Sequence, residues 1–255
     1  MDLVVLTLFP GMFRGPFDES IIRRAREKGK VRIQIVDLRD FTLDRHGKVD
    51  DRPYGGGPGM LLSPQPVFSA VRSLKGRSRA HVVYLTPQGR PFTTKVAKRL
   101  ARLKKLILVC GHYEGMDERA RRALMDEELS VGDVVTTGGE IPAMVVVDAV
   151  VRLLPGVLGD RHSVCHESFE NSLLEGPQYT RPAVYDGMRV PAVLLSGDHR
   201  RINDWRRRQA LKRTRERRPD LLPRTTSGDR KIRISNTKMR NKSEIRNKKV
   251  KTNSL

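Results

Sequence analysis

The sequence predicts an α/β fold built on a parallel sheet, and three observations support this. Four short apolar runs have the length and composition of strands: residues 3–9, 31–38, 81–85 and 106–110. Segments with apolar residues at helical spacing lie between them: residues 20–30, 63–74 and 93–104. The chain has 255 residues, 38% of them hydrophobic, enough for the core of one large domain or two modest ones. Strands that alternate with helices pair in parallel and carry the helices on the faces of the sheet.

Local signals set the limits of the first elements. The first strand is a continuous apolar run that closes on the turn signal Pro10-Gly11, and the first helix stops at Gly29. The second strand alternates apolar and polar positions, as a half-buried strand does: Val31, Ile33 and Ile35 against Arg32 and Gln34. A polar stretch without periodicity follows at residues 39–59, and loops of that length in a compact domain are functional or disordered.

This polar stretch contains four glycines within six residues: Gly55, Gly56, Gly57 and Gly59. Glycine lets the backbone approach a ligand closely, but an ordinary flexible loop has the same composition. The run is not a GxGxxG motif after a strand, and no GK[ST] follows it. Both of these phosphate-binding loops are therefore excluded.

Turn-rich loops follow the predicted strands at their carboxyl ends. They are residues 84–89, 111–115 and 138–140. The third follows a strand only if residues 134–137 are extended. Because ligands of open α/β sheets bind beyond the carboxyl ends of the strands, the three loops would line one pocket. None of the loops contains a lysine, which favours an adenine or a ribose over a phosphate, and three plain turns are the alternative. An acidic stretch at 117–129 precedes the last loop, and an apolar helix at 142–154 follows it.

The composition points to a polyanionic partner. Lys and Arg number 50 against 29 Asp and Glu, giving a formal charge of +21 and a pI of about 10.7. Such a field favours nucleic acid, with a solvated basic surface as the alternative. No apolar stretch is long enough to span a membrane, and the amino terminus lacks the features of a secretion signal. With only Cys110 and Cys165, the sequence predicts a reduced, cytoplasmic protein without a disulfide scaffold.

Histidine and cysteine patterns give little support for metal or thiol chemistry. His162 and His166 lie four residues apart, but no helical pattern surrounds them and no HExxH motif occurs. Cys165 beside His166 is equally weak as a nucleophile pair, because adjacency in sequence does not bring the base onto the thiol. The sequence therefore predicts no metal ligands.

The carboxyl-terminal third of the chain changes character. The first domain is predicted to span residues 1–160, and the polar residues 161–186 predict a flexible linker. Residues 187–223 predict a small helical domain that binds RNA. From residue 224 the chain becomes rich in Lys, Arg, Asn and Ser, with a net charge of about +9. Such a composition cannot offset the entropy of ordering, so residues 224–255 predict a disordered basic tail.

The main helix of the small domain is predicted at residues 200–218. It carries ten basic residues, most of them off its apolar stripe: Ile202, Trp205, Ala210 and Leu211. A run of charge is usually a solvated face, but its density and the global charge favour contacts to RNA phosphates. Such contacts position RNA without reading its sequence. A consecutive set of candidates is Arg206, Arg207 and Arg208.

Ordered motifs from Leu3 to Leu222 resemble a single family. The most distinctive are Asp44-Arg45-His46-Gly47, Tyr54-Gly55-Gly56-Gly57-Pro58-Gly59, Tyr84-Leu85-Thr86-Pro87-Gln88-Gly89, Gly111-His112-Tyr113-Glu114-Gly115, Thr137-Gly138-Gly139-Glu140, Pro155-Gly156-Val157-Leu158-Gly159 and Tyr179-Thr180-Arg181-Pro182. On these residues the chain resembles the bacterial tRNA (guanine-37-N1)-methyltransferases of the SPOUT class.

This resemblance implies a fold and a ligand that periodicity alone does not. The strand-end loops would form a deep trefoil knot, which is a rare exception to unknotted topology. S-adenosyl-L-methionine would be the methyl donor, and the chain would form an obligate homodimer with both active sites at the subunit interface. By the family pattern, the cofactor would contact Tyr84, Leu85, Thr86, Pro87, Gly111, Tyr113, Glu114, Val131, Gly132, Val134, Thr136, Gly138, Gly139 and Pro142.

The resemblance also assigns roles in catalysis and RNA binding. Arg152 matches the family's active-site arginine, and Glu167 lies where many members carry an aspartate as the proposed general base. This glutamate and Val134, in place of a common tyrosine, are departures from the pattern. The RNA would contact Asp50, Gly57, Asp198, His199 and Arg200. Magnesium is associated with the family, but nothing in the sequence identifies a dedicated ion site.

The resulting prediction is methylation of N1 of guanosine 37 in tRNA, next to the anticodon and preceded by guanosine 36. The carboxylate would remove the N1 proton while the guanidinium stabilises charge on O6. Two alternatives stay open. The first is a non-catalytic RNA-binding protein, and the second is a SPOUT enzyme that acts on a ribose 2′-oxygen or on rRNA.

Overall fold

The computed structural model of the chain describes residues 1–158 and 167–223. The chain divides into two compact units, Met1–Arg161 and His162–Leu255. The predicted basic tail at 224–255 lies outside the described residues, as does the segment with His162, Cys165 and His166.

The first unit alternates strands and helices. Its strands are β1 (Asp2–Thr7), β2 (Arg32–Asp37), β3 (Asp50–Asp51), β4 (Leu61–Leu62), β5 (His81–Pro91), β6 (Lys105–Cys110) and β7 (Glu127–Ser130). Its α-helices are α1 (Ser20–Glu27), α2 (Pro64–Lys75), α3 (Thr94–Leu100), α4 (Glu118–Leu124) and α5 (Glu140–Val151). Short 3-10 helices occupy Pro10–Phe13 and Leu38–Phe41. The strands and helices predicted within residues 3–110 are all present.

The large sheet has the order β2-β1-β6-β5-β7, and every neighbouring pair is parallel. The predicted parallel α/β architecture is therefore confirmed. Leu3 in β1 pairs with Ile33 in β2 on one side and with Leu106 in β6 on the other. Because all strands run in one direction, the loops that follow them emerge at one edge, the carboxyl edge of the sheet.

Helices cover both faces of the sheet, which explains why residues 3–6 of β1 and 106–110 of β6 are apolar without interruption. Leu3 and Val5 belong to the core cluster that includes Val147 of α5. Val4 and Leu6 belong to a second cluster that includes Val67 of α2. Successive strand residues thus bury their side chains on opposite faces, as the two-residue period of a strand requires.

The acidic stretch at residues 117–129 contains two elements, α4 and β7, that hydrophobic periodicity does not reveal. The β7 strand lies at the edge of the sheet and begins with two glutamates. Glu127 pairs with Arg99 at 2.6 Å, and Glu128 forms a two-fold ion pair with Arg121 at 2.5 and 2.6 Å. Because ion pairs allow these charged residues to lie in a strand, the sequence of β7 lacks the apolar pattern that identifies the other strands.

The β5 strand extends beyond the predicted residues 81–85, through Pro91. Its pairing with β7 is interrupted between Leu85 and Arg90, so that the intervening residues bulge out before pairing resumes. The third loop was expected to follow a strand only if residues 134–137 were extended. These residues are not a strand, and β7 is the strand that precedes the loop. The third loop nevertheless follows a strand end.

The polar stretch at residues 39–59 is ordered by short-range contacts. The Asp44 carboxylate accepts hydrogen bonds from the backbone N–H groups of His46 at 2.8 Å and Lys48 at 3.2 Å. These two donors lower the pKa of the Asp44 carboxyl. Asp50 in β3 then pairs with Leu62 in β4, which closes the stretch as an antiparallel pair.

The second unit is built around one long helix. Its elements are β8 (Val184–Tyr185), β9 (Met188–Arg189), α6 (Ala192–Leu195), α7 (His199–Arg217) and short 3-10 helices at Glu170–Ser172 and Pro219–Leu221. The α7 helix matches the predicted helix at 200–218 to within one residue. Thr214, buried in α7, accepts a hydrogen bond from the backbone N–H of Leu174 at 2.8 Å, which anchors the preceding segment to the helix.

The described residues contain no helix that is both long and apolar enough to cross a membrane.

Candidate functional site

A cleft of about 220 Å³ lies at the carboxyl edge of the sheet. Its walls come from the loops that follow β5, β6 and β7, which are the three loops predicted to form one pocket. Every residue predicted from the family pattern to bind the cofactor lines this cleft except Gly132. The cleft is also lined by residues of the same loops that were not assigned individually to the cofactor: Gln88, His112, Gly115, Val135 and Thr137. Leu129 and Ser130 of β7 line it as well and were not predicted.

The start of α5 lies directly against the end of β6. The backbone N–H of Gly139 donates to the carbonyl oxygen of Gly111 at 2.7 Å. A Cβ atom at Gly139 would lie 2.6 Å from both the Cα of Cys110 and the nitrogen of Gly111. Only glycine allows these two backbone segments to approach so closely. This contact brings the second and third loops of the cleft together.

A similar close contact between two main-chain segments positions the first loop of the cleft, residues 84–89. A Cβ atom at Gly89 would lie 2.5 Å from the backbone nitrogen of Leu129 in β7. The residues that bulge out of β5 therefore return against the backbone of β7, and the bulge itself forms a wall of the cleft. Glycine again permits the close packing of two main-chain segments.

A buried carboxylate ties the start of α5 to the end of β1. Glu140 is only 2% exposed, and its Oε1 accepts a hydrogen bond from the Thr7 hydroxyl at 2.7 Å. The Thr7 oxygen in turn accepts from the backbone N–H of Phe9 at 2.9 Å. Burial, with the nearby Glu140 charge second, raises the pKa of the Cys110 thiol well above its usual value. This thiol is therefore a neutral core group and not a nucleophile.

Tyr84 forms the floor beneath the second loop. Its hydroxyl would lie 2.9 Å from a Cβ atom at Gly111, so the ring fills the space that a side chain there would need. Burial raises the pKa of Tyr84 to about 12. The phenol consequently stays neutral and acts as a packing group and hydrogen-bonding group, not as an acid or base near pH 7.

Tyr113 and Asp50, predicted to contact the cofactor and the RNA respectively, lie side by side. Tyr113 is 42% exposed and has a positive φ of 57°. Burial raises the pKa of the Tyr113 hydroxyl, and the Asp50 carboxylate raises it further by its charge and by accepting a hydrogen bond. The structure therefore joins the cofactor loop to the β3 segment.

Replacing Asp50 with asparagine is expected to lower the pKa of Tyr113, because the negative charge that disfavours the phenolate is removed. The pKa should stay raised from the ordinary tyrosine value, since burial is the largest cause of the shift. Ultraviolet or NMR titration of the tyrosines measures this. Asp51→Asn is the matched control, because the Asp51 carboxylate faces Lys48 and the backbone N–H of Arg52. An equal shift in both variants would contradict the contact with Asp50.

The glycine-rich run at residues 55–59 lies beside the second loop of the cleft. The backbone N–H of Glu114 donates to the carbonyl oxygen of Met60 at 3.0 Å, and that of Leu62 donates to Gly115 at 2.9 Å. A Cβ atom at Gly59 would collide with the Glu114 side chain. Gly57, with a φ of 115°, adopts a conformation that favours glycine. Gly59 thus lies close to the Glu114 side chain, and the approach of this run to a ligand stays a prediction.

His112 belongs to the predicted loop 111–115 but was not among the residues assigned individually to the cofactor. Its ring packs between Phe9, with centroids 4.9 Å apart, and Tyr113, with centroids 4.7 Å apart. Its Nδ1 atom is buried and has no hydrogen-bond partner among the described residues. Buried polar atoms without partners are rare in folded proteins, so this nitrogen marks a position for a ligand or a water. Its place within the 111–115 motif was the available signal.

The two predicted catalytic residues belong to different units. Arg152 is the residue that caps the carboxyl end of α5, and its side chain is partly buried. Glu167 is the first described residue of the second unit and is also partly buried.

The predicted RNA-binding residues of the second unit lie on α7. The side chains of Arg206, Arg207 and Arg208 are exposed, as are those of His199 and Arg200. Asp198 caps the helix, because its carboxylate accepts from the backbone N–H groups of Arg200 and Arg201, each at 3.0 Å. The helix thus exposes several positively charged side chains to solvent.

Residues 1–158 and 167–223 contain no group of three or more His, Cys, Asp or Glu side chains arranged to hold a metal ion.

Comparison with known proteins extends this description. A sequence model of the family described as tRNA (Guanine-1)-methyltransferase TrmD matches residues 1–224. A relative named tRNA (guanine-N(1)-)-methyltransferase from Dictyoglomus turgidum is 55% identical over 222 residues, covering 87% of this chain and 90% of the relative. Relatives of the same name from Pelotomaculum thermopropionicum and Dehalococcoides mccartyi are each 54% identical, covering 91% of this chain and 94% and 95% of theirs.

Proposed function

Because the chain belongs to the tRNA (Guanine-1)-methyltransferase family, an enzyme family, we propose that it transfers a methyl group to N1 of guanosine 37 in tRNA. S-adenosyl-L-methionine is the proposed methyl donor, and guanosine 36 is the proposed preceding nucleotide. The observation that carries this proposal is the cleft at the carboxyl edge, which gathers the loops of the family pattern into one pocket.

The cleft fits the proposed donor in its chemistry. Its lining residues include four glycines and no lysine or arginine, which suits an adenine and a ribose better than a phosphate. The unpartnered Nδ1 of His112 and the carboxylate of Glu114 add polar groups to this wall. When bound, S-adenosyl-L-methionine supplies an electrophilic methyl group on a sulfonium sulfur. The loops would orient it and exclude water from it.

Guanine N1 carries a proton and is a poor nucleophile until that proton is removed. In our proposal, the Glu167 carboxylate accepts this proton. Negative charge then develops on guanine O6, where the Arg152 guanidinium stabilises it more strongly in the transition state than in the ground state. A glutamate has one methylene more than the aspartate of many family members and keeps the same acceptor group.

The target base has to leave the stack of the anticodon loop to reach the cleft. Asp50 and Gly57 lie on segments attached to the second loop of the cleft, which supports a role for them in holding the extruded nucleotide. In the second unit, His199, Arg200 and the exposed arginines of α7 would bind the RNA backbone, with Asp198 holding the start of the helix. These contacts position the RNA without reading its sequence.

A homodimer and a knotted backbone are part of the proposal. Apolar side chains of α5 and the third loop are exposed in the single chain: Ile141 is 49% exposed, Val145 45% and Val135 85%. A second copy that covers this apolar surface would bury it next to the cleft. The backbone contacts of Gly139 with β6 and of Gly89 with β7 support a tightly threaded knot of the three loops.

The proposed domains are the catalytic domain at residues 1–160, a linker at 161–186, the RNA-binding domain at 187–223 and a basic tail at 224–255. The unit boundary between Arg161 and His162 is consistent with the first division. Glu167 then lies in the linker, beyond the catalytic domain.

Methyl transfer to a tRNA transcript tests the proposed function directly. Purified protein with radiolabelled S-adenosyl-L-methionine and magnesium should label a transcript that carries guanosines at positions 36 and 37. A transcript with adenosine at position 37 should stay unlabelled, and mass spectrometry of the digested product should give 1-methylguanosine. Label on a ribose, on rRNA or on no RNA would overturn the proposal.

Replacing Arg206, Arg207 and Arg208 with alanine is expected to weaken tRNA binding and to flatten its dependence on salt. Each lost phosphate contact lowers the slope of log affinity against log salt by about 0.7 to 0.9. Affinity measured by filter binding between low and moderate salt checks this. Unchanged affinity would mean that these three side chains face solvent and do not contact the RNA.

A further inference from the structure

The amino edge of the sheet, opposite the cleft, carries a second concentration of positive charge. Three connections run from a helix into a strand there, and each is basic. Lys28 and Lys30 precede β2, Arg102 and Lys104 precede β6, and Arg77 and Arg79 precede β5. Because the strands are parallel, all three connections lie at the same edge. These six side chains form what we term the basic edge.

Hydrogen bonds at the start of β1 hold two of the connections side by side. The amino group of Met1 donates to the carbonyl oxygen of Lys30 at 3.1 Å, and the N–H of Asp2 donates to that of Lys104 at 2.8 Å. His81 pairs with Leu106, which brings Arg79 next to the residues before β6. From β2 to β5 the basic edge spans three strand spacings, or about 14 Å.

The basic edge is not neutralised by its acidic neighbours. Asp2 pairs with Arg32 at 3.0 Å, and Asp126 pairs with Lys75 at 3.7 Å and with His81 at 4.0 Å, so both carboxylates are already engaged. None of the six side chains forms an ion pair or a side-chain hydrogen bond with any other part of the chain that the structure describes. All six are exposed.

We propose that the basic edge binds phosphates of the tRNA outside the anticodon arm. This inference rests on the proposed function, since it takes the anticodon loop to lie in the cleft. The carboxyl edge and the amino edge are separated by the length of β1, about 20 Å. The cleft and the basic edge therefore cannot bind the same nucleotides. Several unshielded cations in a row recognise a sugar-phosphate backbone through its charge and not through its bases.

Helix dipoles offer a second explanation of the same residues. The carboxyl ends of α1, α2 and α3 point to this edge, and cations near a helix carboxyl end stabilise it. Lys28 caps α1 and fits that role. Arg79 and Lys104 lie several residues beyond the ends of α2 and α3, where the dipole effect has faded. They are therefore the residues that distinguish the two explanations.

The test variant is Arg79→Gln/Lys104→Gln, with Arg14→Gln/Lys95→Gln as a control of equal charge. Arg14 lies in the connection that follows β1, and Lys95 lies in the first turn of α3, so both are away from the amino edge. Both are exposed, and neither forms an ion pair with another described residue. Affinities for a full-length tRNA transcript and for its isolated anticodon stem-loop are measured by filter binding over a range of salt. Thermal unfolding is measured for each protein.

The test variant should bind full-length tRNA about tenfold more weakly near 0.1 M salt, with a salt slope smaller by about 2. Its affinity and methyl transfer with the stem-loop should equal those of the unchanged protein, as should all values for the control. Unchanged affinity for full-length tRNA, or an equal loss in the control, would overturn the inference. A lower melting temperature without loss of affinity would assign the residues to the helix dipoles. Failure of methyl transfer by the unchanged protein would instead count against the proposed function.

Discussion

Replacing Glu167 with glutamine is expected to lower the rate of methyl transfer by a factor of about 10² to 10⁴, the usual contribution of a general base. Glutamine keeps the size and shape of the side chain but cannot accept the N1 proton of guanine. The affinity for S-adenosyl-L-methionine should stay the same, because the predicted cofactor residues all belong to the first unit and Glu167 belongs to the second.

Single-turnover transfer of labelled methyl groups measures the chemical step, and calorimetry measures cofactor binding. Glu167→Asp is the matched control, since it keeps a carboxylate and is the residue that the family resemblance implies for the proposed base. This control should retain most of the rate. A glutamine variant with the normal rate would move the role of base to another residue, and a variant that no longer binds cofactor would point to a structural role.

The sheet could be predicted from the sequence because its central strands are buried on both faces. β1 and β6 read as short continuous apolar runs for that reason, and their order with the helices gives the parallel arrangement. β7 could not be predicted, because its two glutamates are held by ion pairs with Arg99 and Arg121. Those partners come from other elements, and no local pattern reveals them.

The family could also be predicted, since ordered motifs carry that signal, and the match over residues 1–224 confirms it. The common pocket followed from the rule that parallel strands end at one edge. The contacts that shape this pocket could not be predicted from the sequence. Thr7 and Glu140 are separated by 133 positions in sequence, and their hydrogen bond depends on where β1 and α5 lie in the fold. The buried Nδ1 of His112 likewise depends on the packing of Phe9 and Tyr113.

Gly139→Ala is expected to lower the free energy of unfolding by about 3 kcal/mol and to abolish cofactor binding. The backbone at Gly139, with φ −76° and ψ −3°, is one that any residue adopts, so the cost is steric and not conformational. The new methyl group would lie 2.6 Å from the Cα of Cys110 and from the nitrogen of Gly111. Both are main-chain atoms of a buried strand end and cannot move without opening the cleft.

Urea unfolding and calorimetric titration with S-adenosyl-L-methionine measure the two effects. Gly11→Ala is the matched control, because its φ is not positive and a Cβ atom there would meet nothing within 4 Å. This control should change stability by less than about 1 kcal/mol and leave binding intact. If Gly139→Ala behaved like the control, the contact between α5 and β6 would be loose enough to accept a methyl group. The shape of the cleft would then not depend on the close backbone contact at Gly139.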